Sequence, residues 1–293
     1  MGDDPVGRGY VEHLTDADLA LLARAGRVAE APEGLRRRPG RVPGLVARPE
    51  VFESLFGDRG SAGFRGVSEL VEVSPFLVFA VAVHRASTDL ADVSYVPERA
   101  EGRAGVPVFD AHQLRTFLEG PGRRLFLAEL LASFSRVASG RYWTNTPHGP
   151  RPRRYSELDP VRLAGLAEAL PEAERPGVYR RLGDVTLFLA GVFPEYTRTH
   201  ALGLVDAGRL VRVAGIGMDE REELAAAPTI QLFEYLGRRW YRQACDLVAV
   251  RSAGLAVVSE VAESFREARR VLNHIADRYL FSAGNSWFTS PGS

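Results

Sequence analysis

The chain has 293 residues, 45% of them hydrophobic and 25% charged, and its 37 basic and 37 acidic side chains cancel. This length supplies a sizeable core in one large domain or two, and zero net charge gives no global field toward nucleic acid or an anionic membrane. Every basic residue is arginine, which excludes Schiff-base chemistry, the P-loop lysine and the kinase strand lysine, and the single cysteine, Cys245, excludes internal disulfides and cysteine-rich zinc sites.

The opening residues, MGDDPVGRGY, are acidic and lack the apolar run of a signal peptide. Apolar runs elsewhere are too short for a bilayer span, so a cytoplasmic protein without a membrane partner is expected. Residues 1–14 read as a loose terminus. Thr15 then caps a helix that carries Asp16 and Asp18 in its first turn, where negative charge suits the helix dipole. From Ala31 to Gly44, Pro32, Pro39 and Pro43 alternate with Arg36, Arg37, Arg38 and Arg41, which reads as a loop, mobile or clamped on an acidic surface. A short helix is expected around Pro49–Phe56. Ser74 and Pro75 form an N-cap and first-turn pair before the apolar run Phe76–Val83, whose continuation to Leu90 favours a buried helix over a strand. Val93–Val96 and Val106–Phe109 are short and β-branched or aromatic, and they predict a two-stranded hairpin. Further helices are expected after Asp110 and from Arg123 to Ala138.

Ser139–Tyr155, SGRYWTNTPHGPRPRRY, is polar and aromatic, with four arginines and three prolines. It reads as a connector between domains or a functional loop. Asp159 and Pro160 open the next helix. Gly177–His200 is the densest apolar segment that also carries charge. Val178, Leu182, Val185, Leu189 and Val192 share one helical face, and Leu187, Phe188 and Phe193 widen it until little is left for water, the pattern of a buried central helix. Gly183, Thr186 and Ala190 give a small-residue face that admits a neighbouring helix closely. Asp184 is the anomaly, a carboxylate in an apolar segment, with Arg180 and Arg181 in reach on the same helix. At the other end, Glu195 and His200 are also open to function.

Ala201–Ala227 reads as short helix or loop, and a good helix follows Pro228. Cys245 lies in it and is expected to be a buried thiol. In the last helix, Leu255–Tyr279, apolar residues Val258, Val261, Phe265, Ala268, Leu272, Ile275 and Tyr279 recur at three and four, a coiled-coil-like seam. Residues 282–293 form a small polar tail that Trp287 and Phe288 could anchor.

Motif chemistry is mostly absent. Gly215-Ile216-Gly217 lacks the third glycine of a dinucleotide fingerprint, and Gly60-Ser61-Ala62-Gly63 lacks the first glycine of a nucleophile elbow. No Glu-x-x-His or His-Glu-x-x-His occurs, and the six histidines show no paired spacing, so no metal and no cofactor is expected. Carboxylates in apolar surroundings, where burial would raise their pKa, are Glu129, Asp184 and Glu195. The pattern Tyr-x-x-Leu-Gly-Asp-x-x-Leu-Phe-x-x-Gly-x-Phe-Pro-Glu, Tyr179 to Glu195, resembles a motif of uncharacterised helical proteins from GC-rich, actinobacterium-like bacteria. The resemblance covers this segment alone; it implies a helical fold and no catalytic residue.

Together these readings predict a mainly α multi-helix bundle with a minor two-stranded β element in the N-terminal half. Its parts are a mostly helical segment 1–140, a connector 141–155, a helical bundle 156–281 and a tail 282–293. Helices without catalytic spacing favour a scaffold or interaction protein that self-associates as a homodimer through the Leu255–Tyr279 seam. A second reading is a binder of a small or phosphate-containing ligand, or an enzyme, with a pocket lined by Arg181, Asp184, Glu195 and Tyr142. A third is a nucleic-acid binder using the arginine clusters at 36–41, 151–154 and 238–242, with Tyr142 and Trp143 beside the second; zero net charge stands against it.

Overall fold

A proline fits the first turn of a helix, where its missing N–H has no partner to lose. This chain uses that rule repeatedly: Pro5, Pro32, Pro49, Pro75, Pro121, Pro160, Pro176 and Pro194 all lie at helix starts. The computed structural model describes residues 4–57, 73–98, 106–146, 149–250 and 252–281, and these contain sixteen α-helices and two two-stranded antiparallel sheets. The mainly helical fold with minor β structure is as expected. No helix among the described residues is long and apolar enough to cross a membrane. Packing divides the described chain into two units, 4–135 with 277–281 and 136–276.

The first unit holds α1 (Pro5–His13), α2 (Asp16–Ala25), α3 (Pro32–Arg37), α4 (Val42–Val46), α5 (Pro49–Phe56), α6 (Pro75–Asp89), α7 (Ala111–Glu119) and α8 (Pro121–Ser133). Strands β1 (Val96–Glu98) and β2 (Val106–Val108) pair with Val96 opposite Val108, the hairpin read from the sequence. Its core is built round α6, which Ser74 caps by accepting from the Leu77 N–H at 3.2 Å and whose residues Phe76–Val83 are all buried. Thr15 and Asp18 close a capping box at the start of α2. The fully buried Asp18 carboxylate also accepts the Ser74 N–H at 2.9 Å, so one side chain fixes the starts of two helices. The supposedly loose terminus is α1, since Asp4 caps it and Tyr10 is drawn into the core. The basic breaker zone is likewise helical. Its arginines are clamped, Arg36 on Asp16 at 2.8 Å and Arg41 on Glu30 at 2.7 Å. The glycine-rich nucleophile-elbow candidate, 60–63, lies outside the described residues.

The second unit holds β3 (Ser139–Thr146), β4 (Gly149–Ser156), α9 (Pro160–Ala169), α10 (Arg175–Val192), α11 (Pro194–Thr199), α12 (Leu204–Val213), α13 (Met218–Ala226), α14 (Thr229–Asp246), α15 (Ala253–Glu263) and α16 (Phe265–Ile275). Helix α10 is the enclosed element, packed against α9, α14 and α16, and every residue from Leu182 to Val192 is buried. The small-residue face works as expected. A Cβ added at Gly183 would lie 2.5 Å from the Tyr241 ring of α14, and one at Gly191 would lie 2.7 Å from Leu272 of α16.

Two expectations are corrected. Segment 141–155 is no connector: β3 and β4 form one hairpin with Arg141 opposite Arg154 and Trp143 opposite Pro152, and the division of the chain falls at 135/136. Pro150 and Pro152 fit this ribbon because two-residue spacing puts both missing N–H groups on the same edge. The C-terminal seam is not one helix offered to a second copy. Ser264 breaks it with φ −108° and ψ 37°, and Val258, Val261, Phe265, Ala268, Leu272 and Ile275 are fully buried within one chain. Tyr279, past the end of α16, packs in the first unit against Phe52 and Phe56. A core-facing stripe and a coiled-coil seam have the same spacing, so the sequence alone does not separate them. Cys245 is only half-buried.

One buried pair in the first unit makes its stability depend on pH. The Tyr10 hydroxyl and His84 Nε2 share a hydrogen bond of 2.9 Å, and burial, aided by the Arg124 charge, pushes the His84 pKa down to about 3. The unfolded chain therefore binds more protons than the folded one below about pH 6.5, and stability falls as pH is lowered from 6.5 toward 3. The expected slope from this residue is roughly a kcal/mol per pH unit. Urea unfolding between pH 7 and 5 checks it: His84→Gln, which keeps an acceptor for Tyr10, should flatten the profile, and a variant profile parallel to the wild type would show that His84 is not its source.

Candidate functional site

Asp184 sits on α10 with 7% of its surface exposed. Arg180 Nε donates to its Oδ1 at 3.0 Å, and the Tyr241 hydroxyl donates to the same oxygen at 2.9 Å. Arg181 lies 3.9 Å from its other oxygen and donates to Glu157 at 3.0 Å. Burial first, and the Asp184 charge second, push the Tyr241 hydroxyl well above its ordinary pKa, so it stays a donor. These contacts turn the anomalous carboxylate inward, onto its own helix and α14. Of the four residues expected to share a pocket, Arg181 and Asp184 do meet. Glu195 is exposed at the start of α11 and pairs with Arg198 at 3.2 Å. The Tyr142 hydroxyl lies beside Gly165 of α9, where an added Cβ would be 2.9 Å from it. Glu129, in the first unit, pairs with His13 at 3.1 Å instead of an arginine.

A cavity of about 410 Å³ opens at the other end of α10. Its apolar wall comes from Leu189 of α10, Phe233 of α14, and Leu158 and Leu202 from the segments before α9 and α12. Its polar groups are Ser156, Asp159, Tyr196, Thr197, His200 and Thr229. Local chemistry places each one. Pro194 stops α10 and starts α11, and the buried Thr197 hydroxyl pins the new helix back by donating to the Leu189 and Phe193 carbonyls at 2.9 and 3.0 Å. His200 stacks on Tyr196 with ring centroids 4.1 Å apart, and its Nδ1 lies 3.2 Å from the Tyr196 carbonyl. Thr229 accepts the Leu202 N–H at 3.4 Å, which ties the loop after α11 to the start of α14. Asp159 caps α9, accepting from the Val161 and Arg162 N–H groups at 3.0 Å each, and also pairs with Arg162 Nε at 3.0 Å.

Arg162 joins this cavity to the hairpin. Ser156 and Arg162 line the cavity and also a second concavity of about 290 Å³ with Arg141 and Arg154. Arg154 and Arg162 continue into a third, with Arg151 and Arg153. The arrangement is a chamber of mixed apolar and polar lining that shares Ser156 and Arg162 with an arginine-lined groove. Sequence reasoning singled out His200 and the arginines 151–154 but missed Thr197, Thr229, Phe233 and Arg162. Those residues come from three separate segments, and only Thr229 and Phe233, four apart on α14, share a helical spacing.

Among the described residues no group of three or more histidine, cysteine, aspartate or glutamate side chains could hold a metal ion. No protein-family model, no curated protein and no solved structure matches the chain.

Tyr241→Phe removes one donor from the buried Asp184 carboxylate while leaving the ring in place. The loss expected for an under-satisfied buried acceptor is about 1–3 kcal/mol of stability, read from urea denaturation of the full chain. A shift within about 0.3 kcal/mol, inside the usual range for mutations that touch nothing important, would show that the hydroxyl is not what holds the carboxylate.

Proposed function

We propose that the second unit binds a small organic anion, its apolar part in the chamber between α10, α11 and α14 and its charged group at Arg162. The carrying observation is a cavity of about 410 Å³ with both apolar and polar lining that shares Arg162 with the arginine-lined groove beyond. That volume lies in the range of small-molecule sites, which are mostly apolar with a few placed polar groups. The guanidinium fork suits a carboxylate or a phosphate, and Arg154 beside it offers a second. This reading keeps the anionic ligand anticipated from the arginines and moves its pocket from Asp184 to the far end of the same helix. The self-association reading loses its support, since the seam it needed lies inside the chain.

Phenyl phosphate, with benzyl alcohol as the uncharged control, serves as the probe in isothermal titration. The expected result is binding of phenyl phosphate at least tenfold tighter than the alcohol. Arg162→Glu should weaken it tenfold or more, and Leu202→Trp, which fills the chamber from its half-buried rim, should abolish it. Equal binding of the two probes, or unchanged affinity in both variants, would contradict the assignment.

A further inference from the structure

The β3–β4 hairpin has an inner and an outer face. Residues directly opposite each other in an antiparallel pair share a face, and faces alternate along the strand. Tyr142, opposite Arg153, belongs to the inner face, because its hydroxyl lies against Gly165 of α9. The outer face therefore carries the cross-strand pairs Arg141–Arg154 and Trp143–Pro152. Trp143 is 68% exposed, a large indole left in water. Two arginines directly opposite each other repel, and like charges in that position destabilise a ribbon. Elsewhere in the chain arginines meet carboxylates, as Arg36, Arg41, Arg209 and Arg242 do. From Ser139 to Ser156 the sequence contains no acidic residue, and among the described residues no carboxylate pairs with Arg141, Arg153 or Arg154. The hairpin keeps a charge that the fold does not neutralise and an aromatic surface that the fold does not cover.

We propose that this outer face binds single-stranded nucleic acid, with phosphates on Arg141 and Arg154 and a base stacked on Trp143. Successive pairs on one face are two residues apart, about 6.8 Å at the strand rise of about 3.4 Å per residue. The guanidinium pair and the indole therefore sit side by side along the ribbon, as a backbone track beside a stacking platform requires. A duplex keeps its bases stacked and offers the indole nothing, and an acidic peptide offers charge without a flat ring, so a single strand is the occupant that uses both features. Zero net charge of the whole chain is compatible with this, because the site is local and the electrostatic contribution of two arginines is modest. For a single strand it gives a slope of log K against log salt of about −1.4. The inference shares Arg141 and Arg154 with the groove beyond the chamber but uses neither the chamber nor Arg162, so a variant that fills the chamber separates it from the small-ligand reading.

The test titrates fluorescein-labelled twelve-residue oligothymidylate with the full chain at 20 to 200 mM salt and follows anisotropy, with tryptophan emission recorded in a Trp287→Phe background. Trp240 is fully buried, so quenching in that background reports Trp143. The expected results are quenched emission, at least fivefold weaker binding for Trp143→Ala, and a salt slope lowered by more than one for the double variant Arg141→Ser, Arg154→Ser. Leu202→Trp should leave oligonucleotide binding unchanged. No binding at 20 mM salt, equal binding of a twelve-base-pair duplex or of polyglutamate, or affinity and emission indifferent to Trp143→Ala would each overturn the proposal.

Discussion

A carboxylate buried in an apolar helix must be satisfied, and the second unit is arranged round that requirement. Asp184 lies in the part of α10 that is enclosed on every side. Breaking a buried charged pair costs about 3–5 kcal/mol, so the donors to Asp184 are held as firmly as the carboxylate is buried. Arg180 comes from the same helix, one turn back. Tyr241 comes from α14 and fixes the register between the two helices. Its ring can reach Asp184 only because Gly183 has no side chain in the way. Gly237 of α14 faces Thr186 of α10 in the same manner. With α10 and α14 locked in this register, Leu189 and Phe233 both line the chamber and Thr229 comes within reach of the loop that follows α11.

The helical architecture is largely legible in the sequence because helix starts carry their own chemistry. Thr15 with Asp18, Ser74 with Pro75, and Asp159 with Pro160 each announce a cap or a first turn, and the structure places a helix at each. Proline misleads where its two meanings compete. Pro32 and Pro43 read as breakers in a basic loop, yet both sit in first turns of short helices, and the nearby Arg36 and Arg41 are clamped on Asp16 and Glu30. The second hairpin escapes notice because β4 is mostly arginine and proline and neither strand shows apolar alternation; it is held by ladder hydrogen bonds and by contact with α9, neither of which leaves a period in the sequence. The C-terminal stripe has the right residues and an ambiguous meaning, since burial against α14 within the chain and burial against a second copy demand the same spacing.

The site is less legible than the fold, for a reason visible in its members. An isolated charge in an apolar run is conspicuous, so attention falls on Asp184, whose oxygens prove to be engaged by neighbours. The chamber is lined instead by threonines, a phenylalanine and a histidine that look ordinary in their own segments and converge only through the turn at Pro194 and the loop before α14. Only His200, at the other end of the conspicuous stretch, is visible beforehand. The arginines carry a clearer trace. In this lysine-free chain many of them have acidic partners, and the absence of any acid from Ser139 to Ser156 marks the hairpin as different before its structure is known.

The central claim is that Asp184 organises the helices while the opposite end of α10 binds the ligand. Asp184→Asn separates the two roles, because it removes the charge and keeps the shape. Urea unfolding and phenyl phosphate titration on the same folded sample read both at once. The account predicts a lowered unfolding midpoint with ligand affinity unchanged within twofold. An unchanged midpoint with affinity reduced tenfold or more would contradict it and return the site to Asp184.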